Sequence, residues 1–355
     1  PAEHLGPLMT SLTEMRQAMF TSDALRSFYI ILVGTGVLIC FMLGKLKQSY
    51  AVGIILVLCL VDLWTVNKRY LNDDMFVPEA EREAPQQMSQ TDEHILQDKS
   101  LDYRVLNLAT NTFNENETSY YHKSIGGYHA AKLRRYQEMI ERYISPEMQQ
   151  VFSAVSEAGG DMTKIKGDSI WPVLNMLNTK YLILPLQGGQ TVPLQNTFAY
   201  GNAWLVDKLR YVENANEEID GVGKIDLRHE AVADVKFKQL LGEAVSQDTL
   251  SVVTIKAYEP NELTYECQSG RGGVIVFSEI YYPGWTATVD GQPAELGRVN
   301  YILRALNVKP GKHEIVLTFK PQSVRTTETI AYVSYVILLL TLLGALGLAY
   351  GRKKK

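Results

Sequence analysis

The stretch Gly126-Gly-Tyr-His-Ala-Ala-Lys-Leu-Arg-Arg-Tyr136 gathers the residues of this chain best suited to holding an anion. Two glycines ahead of a helix leave backbone N–H groups at its positive end, where phosphate or another anion binds. His129, Lys132 and Arg135 add donors and charge, so Gly126, Gly127, His129, Lys132 and Arg135 form a candidate phosphate or glycan site. A plainer reading competes with it. Leu133, Tyr136, Ile140 and Ile144 fall at the spacing of a core-facing stripe, and Arg134 and Glu138 at that of an exposed (i, i+4) pair. A second candidate is the aromatic run Tyr281-Tyr-Pro-Gly-Trp285. Tyr281, Tyr282 and Trp285 offer faces that can stack on sugar rings, although such a run also reads as core around a tight turn. Asp62 is the third, an ionisable group inside an apolar run, which marks a functional or anchoring position. With Trp64 it lies close to the end of that run and reads as a membrane-interface residue.

Other chemistries find no support. The six histidines are scattered, and no Cys/His cluster has zinc spacing. Neither a Gly-x4-Gly-Lys phosphate loop nor a Gly-x-Ser-x-Gly elbow occurs. No cofactor and no metal is called for. The net charge of −4 gives no global basic surface of the kind nucleic-acid binding uses. Of the three cysteines, Cys40 and Cys59 lie in apolar runs and Cys267 stands alone, so no disulfide framework can be drawn.

The elements that must position these residues begin with three apolar blocks, hidden in a mean hydropathy of −0.09 by the polar stretch between the second and third. Ser27 to Gly44, Tyr50 to Val66 and Ile330 to Tyr350 are each long enough to cross a bilayer core of roughly 30 Å. The terminal Gly-Arg-Lys-Lys-Lys favours a cytoplasmic C-terminus, and parity then puts Lys45 and Lys47 inside and residues 72–325 outside. Lys68 and Arg69 sit on the wrong side of that arrangement. Tyr332 and Tyr335 suit an interfacial belt. Leu5, Leu8, Met9, Leu12, Met15 and Met19 share one helical face, which predicts an amphipathic interfacial segment.

Between the second and third blocks the pattern is first mixed. Strands are predicted at Tyr103–Leu108, Tyr181–Leu184, Ala203–Val206 and Arg210–Val212, and helices at Tyr128–Tyr143, Trp171–Asn178 and Glu217–Val222. Residues 79–99 read as a surface linker. From about Leu250 the signal is all-β, with Asp290-Gly291 a strong hairpin turn and Ile315, Leu317 and Phe319 on one strand face. The expected class is therefore a membrane protein with three transmembrane α-helices plus an α+β extracytoplasmic region ending in a small β-sandwich. The predicted layout is an interfacial segment over 1–25, transmembrane helices over 26–45, 50–67 and 329–350, an α+β domain over 72–249, a sandwich over 250–322 and a cytoplasmic basic tail over 351–355.

Several stretches together resemble a known family. Val61-Asp-Leu-Trp-Thr-Val-Asn-Lys-Arg-Tyr-Leu71, Gly126 to Tyr136, Leu174-Asn-Met-Leu-Asn-Thr-Lys-Tyr181, Gly201-Asn-Ala-Trp-Leu-Val206, Tyr281 to Gly291, Asn300-Tyr-Ile-Leu-Arg-Ala305 and Pro310-Gly-Lys-His313 are similar to YfhO-type bacterial membrane proteins, as in Bacteroidota. The resemblance implies a longer parent of the multi-span, GT-C-like glycosyltransferase type, using polyprenyl-phosphate-linked sugars to modify cell-envelope glycans. It also implies a catalytic carboxylate in an early external loop, with no matching position in this sequence, so the present chain alone is expected to be inactive. The implied partners are the lipid bilayer, a polyprenyl-phosphate-linked sugar and a glycan acceptor; the implied place is the bacterial cytoplasmic membrane. The rival expectation is a membrane-anchored binding or scaffold domain without enzymatic activity.

Overall fold

The computed structural model describes residues 5–76, 78, 88–159, 161–245 and 250–353, which divide into two compact units at Pro85/Gln86. The first unit is a pair of helices, α1 (Leu5–Met42) and α2 (Gln48–Tyr70). No proline or glycine interrupts Met9 to Val33, so nothing breaks the backbone hydrogen bonding and α1 is one continuous rod. The separate interfacial segment expected over 1–25 is thereby corrected: its described part is the first half of α1. Residues Met9–Met42 of that helix and all of α2 are long and apolar enough to span a membrane.

Charged side chains join the two helices. Arg69 grips both carboxylate oxygens of Asp23, at 2.8 and 2.5 Å, and Arg26 lies 3.1 Å from Asp62. Asp62 thus has an arginine from the neighbouring helix as its partner. Lys68 pairs with Asp73 at 3.1 Å. Trp64 is exposed, with Lys68 5.9 Å from its ring.

The described residues of the second unit form four sheets. Strand β1 (Arg104–Asn107) pairs in parallel with β2 (Thr179–Pro185), which pairs antiparallel with β3 (Thr191–Gln195). β4 (Ala203–Val206) comes next, followed by a parallel pair, β5 (Lys208–Val212) and β6 (Glu230–Asp234). Eight further strands run from β7 (Val252–Glu259) to β14 (Gly311–Phe319): β8 (Glu262–Ser269), β9 (Gly273–Ile280), β10 (Trp285–Val289), β11 (Gln292–Ala294), β12 (Gly297–Val299) and β13 (Leu303–Val308) lie between them. The order β11-β10-β14-β8-β7 makes one antiparallel sheet and β12-β13-β9-β4 the other. Tyr265, Cys267, Ile315 and Leu317 of the first meet Ala203, Ile275, Phe277 and Leu306 of the second in one buried cluster, which is the sandwich core. Asp290 and Gly291 both take positive φ, +50° and +76°, as the tight turn between β10 and β11 demands.

Two boundaries differ from expectation. The sandwich does not begin near 250, because β4 supplies one of its edges, and Val274, Val276, Leu303 and Ala305 turn the other way into the main core with Trp171, Leu174 and Leu182. A strand buried on both faces cannot close a domain by itself. Residues 246–249, beside the expected boundary, lie outside the described residues. The expected linker over 79–99 also ends early. Its portion at 79–87 lies outside the described residues, and from Ser89 the chain forms a capped helix, Gln90–Ile95, with Ser89 and Asp92 bonded reciprocally. Ile95 is fully buried against Val105 and Ile183.

Two residues after β14, α3 (Gln322–Lys353) begins; Gln322–Gly347 meets the requirements of a membrane span. Its leucines, Leu338 and Leu340 among them, face outward on every side, the pattern lipid favours and water does not. Of the basic tail, Gly351–Lys353 continue the helix and Lys354 and Lys355 lie outside the described residues.

Candidate functional site

A cleft of about 570 Å³ opens in the second unit. It unites Gly126, Gly127, His129 and Lys132 with Tyr282 and Trp285, which the sequence holds some 150 positions apart. Arg104, Glu279 and Arg304 complete it.

The glycine wall is built by the loop over residues 112–116. A side chain at Gly126 would place its Cβ 1.9 Å from the Thr112 carbonyl oxygen, so only glycine fits. Gly127, at φ +104°, donates its N–H to that same oxygen at 2.7 Å. The Gly126 N–H goes to Ser124 Oγ at 3.0 Å, and that of Tyr128 to the Glu115 carbonyl, also at 3.0 Å. The helix expected from Tyr128 is therefore corrected: it starts at Arg134, passes through a π-helical turn at Ile140–Ile144 and continues to Glu157. Loop contacts hold Gly126–Tyr128 in a non-helical path, and the amides proposed for an anion are already bonded. What this segment offers the cleft is side chains. Lys132 sits 5.2 Å from the Phe113 ring. His129 accepts the Ala131 N–H on Nδ1 at 3.0 Å.

Arg135 points elsewhere. It borders a neighbouring hollow of about 420 Å³ with Tyr281, Arg298 and Tyr301. Its guanidinium donates to Glu218 at 3.2 Å and lies 4.2 Å from the Tyr301 ring. Arg298 donates to the same fully buried Glu218 at 2.9 Å. The Arg134–Glu138 pair forms on the surface at 3.0 Å, and Tyr301 donates to Glu138 from the other side.

In the aromatic run, Tyr282 is the exposed member and borders the cleft. Trp285 already has Arg304 3.8 Å from its ring and Phe319 at 5.3 Å. Tyr281 packs on Phe237 at 6.1 Å, outside the main cleft. Gly284, at φ +102°, makes the turn and lets Pro321 close against it. Lys320 then donates its N–H to the Gly284 carbonyl at 2.9 Å, which ties the turn to the start of α3.

The floor holds half-buried Arg104 beside buried Arg304 and buried Glu279. Arg104 donates to the carbonyls of Leu177 and Ser278, at 2.9 and 2.5 Å, and to Glu279 at 3.3 Å. Burial opposes its charge, but Glu279 and Asp102 outweigh that and raise its pKa. Arg304 donates through Nε to the Ile280 carbonyl at 3.0 Å, while its Nη1 is buried without a partner. For Arg304 burial wins over the attraction of Glu279, and the pKa is lowered. Sequence reading missed all three residues. The available signal was charge inside apolar strands: Glu279 closes Val274-Ile-Val-Phe-Ser-Glu279, and Arg304 interrupts Leu303-Arg-Ala-Leu306. Asn300 and Tyr301, just ahead of Arg304, both take positive φ, an uncommon backbone state for such residues. The described residues contain no group of acidic, histidine or cysteine side chains arranged to hold a metal.

No curated protein and no solved structure matches the chain. Residues 221–331, which include Glu279, the aromatic turn, Arg304 and the start of α3, match the family model for bacterial membrane protein YfhO, as a C-terminal YfhO-type portion would.

Proposed function

We propose that the second unit is an extracytoplasmic recognition domain of a GT-C-like membrane glycosyltransferase, and that its cleft receives a cell-envelope glycan or the head of a polyprenyl-phosphate-linked sugar at the bilayer surface. The observation that carries this reading is the tie between the cleft and the last span. Tyr282 and Trp285 line the cleft, and the turn between them bonds Lys320, two residues before α3. The polar first turns of α3, residues 322–329, add a rise of roughly 12 Å before the apolar stretch. That exceeds the headgroup layer, roughly 5–8 Å on each side, and sets the cleft's turn just outside it, the level at which a lipid-linked sugar presents itself. The basic C-terminal residues support a cytoplasmic end for α3, and hence an outside position for the domain.

His129 and Lys132 supply donors on one side of the cleft and Tyr282 an apolar face on the other, the combination that orients a sugar bearing charge. Gly126 and Gly127 act by shape, allowing the loop to fold back under the cleft. Transfer of sugar onto envelope glycan, measured in membranes holding the gene's whole product, tests the reading. The double variant Lys132→Ala/Tyr282→Ala should lower transfer with normal protein levels. Unchanged transfer removes the cleft from the activity. Glycan binding without any transfer by the whole product favours the binding-domain alternative.

A further inference from the structure

We infer that Arg304 is the anchor for a single negative charge on the glycan ligand, a phosphodiester or a carboxylate, at the floor of the cleft; this rests on the glycan reading above.

The charges around the floor of the cleft do not balance. Half-buried Arg104, its side chain 15% exposed, and buried Arg304 have one carboxylate between them, Glu279, which pairs directly with Arg104 and attracts Arg304 from farther off. Asp102, the next acid, is already held by Lys123 at 2.6 Å and by the Asn202 amide at 2.7 Å. Three cations thus face two anions, and the floor keeps an excess of one positive charge. A buried charge lacking a counter-charge is costly, as is a buried donor with no acceptor. Arg304 shows both: it is 3% exposed, and Nη1 has no partner. Trp285 holds the guanidinium from its face at 3.8 Å, and the Ile280 carbonyl fixes Nε. The side chain is therefore preorganised with one donor left over beside a cleft large enough for a sugar. One anionic oxygen placed there satisfies the donor and balances the count. Lys132, higher in the cleft, adds attraction without setting the position, since a lysine is a flexible point charge.

Calorimetric titration of the purified full chain in detergent with three probes tests this: methyl glucoside, glucuronate and glucose 1-phosphate. Both anionic probes should bind roughly tenfold or more tighter than the neutral one, the worth of a hydrogen bond to a charged group. Whichever anion binds tighter identifies the source, a carboxylate for an acidic glycan or a phosphate for a sugar-phosphate carrier. Arg304→Met should abolish the preference for the anions. The comparison of probes on the unaltered protein needs no variant and stands even where Arg304→Met fails to fold. Equal binding of the three probes overturns the anion anchor and leaves the glycan reading intact. Absence of binding by all three overturns both. A preference that survives in folded Arg304→Met overturns the role of Arg304.

Discussion

Two neighbouring places in the second unit have the same composition, two arginines around one buried glutamate, and differ in how the set is closed. At Glu218 both arginines reach the carboxylate: Arg298 at 2.9 Å and Arg135 at 3.2 Å. At Glu279 only Arg104 does so, at 3.3 Å, while Arg304 keeps an unpaired N–H beside a cleft. The first set ties the helix from Arg134 to β12 and to the helix Ala215–Val222. The second leaves charge and a donor for something outside the chain. Composition alone does not separate a structural cluster from a binding floor; the number of unsatisfied atoms does. Glu147 extends the series. It is buried with no cation in ion-pair range among the described residues, and accepts only the N–H groups of Val173 and Leu174, at 2.9 and 2.8 Å.

The largest effect is expected from Glu218→Ala, which strands the buried Arg298 and unpairs the partly exposed Arg135, and should cost about 3–5 kcal/mol in denaturant unfolding of the second unit. A loss below about 1 kcal/mol would mean that the closed set is not holding those elements together.

Glu147 should show itself through pH. Burial raises its pKa from 4.5 to about 8, against the pull of its two backbone donors. The folded state therefore favours the protonated acid. Its contribution is full below pH 4.5 and is lost as pH rises through about 8. Thermal melting should show Glu147→Gln to be less sensitive than the unaltered protein over that window, by a difference on the order of a few kcal/mol. Parallel curves would sink the assignment.

Gly126→Ala places a methyl group against the Thr112 carbonyl and should cost about 1–3 kcal/mol through backbone shifts. Melting temperature reads the cost, and the cleft's affinity for sugar should fall with it. A silent substitution would show the loop over 112–116 to be free to move.

The smallest stability change belongs to Arg304→Met. Removing an under-paired buried cation should leave stability within about 1 kcal/mol of the original, or raise it, in contrast to Glu218→Ala. A loss as large as that of Glu218→Ala would erase the distinction between the two sets.

The spans were legible because lipid imposes a composition: long apolar runs with little charge, as in the middle of α2 and of α3. The strands of the sandwich were legible by alternation and by turns such as Asp290-Gly291. The start of the helix at Arg134 was not, because the loop over 112–116 takes the amides of Gly127 and Tyr128, and no local signal in Gly126-Gly-Tyr-His reports a partner so far back in the chain. For the same reason Arg135, equivalent to Lys132 by residue type, turned out to serve Glu218.

The sequence by itself determined that the chain has three helices fit for a membrane and a large polar region ending in β-structure, since hydrophobic periodicity and turn chemistry act over a few residues. Only the tertiary structure decided which charges are spent on one another and which remain. That depends on how many acceptors lie within about 3 Å of each donor, and those acceptors, Glu279 and the carbonyls of Leu177, Ser278 and Ile280, are brought to Arg104 and Arg304 by folding alone.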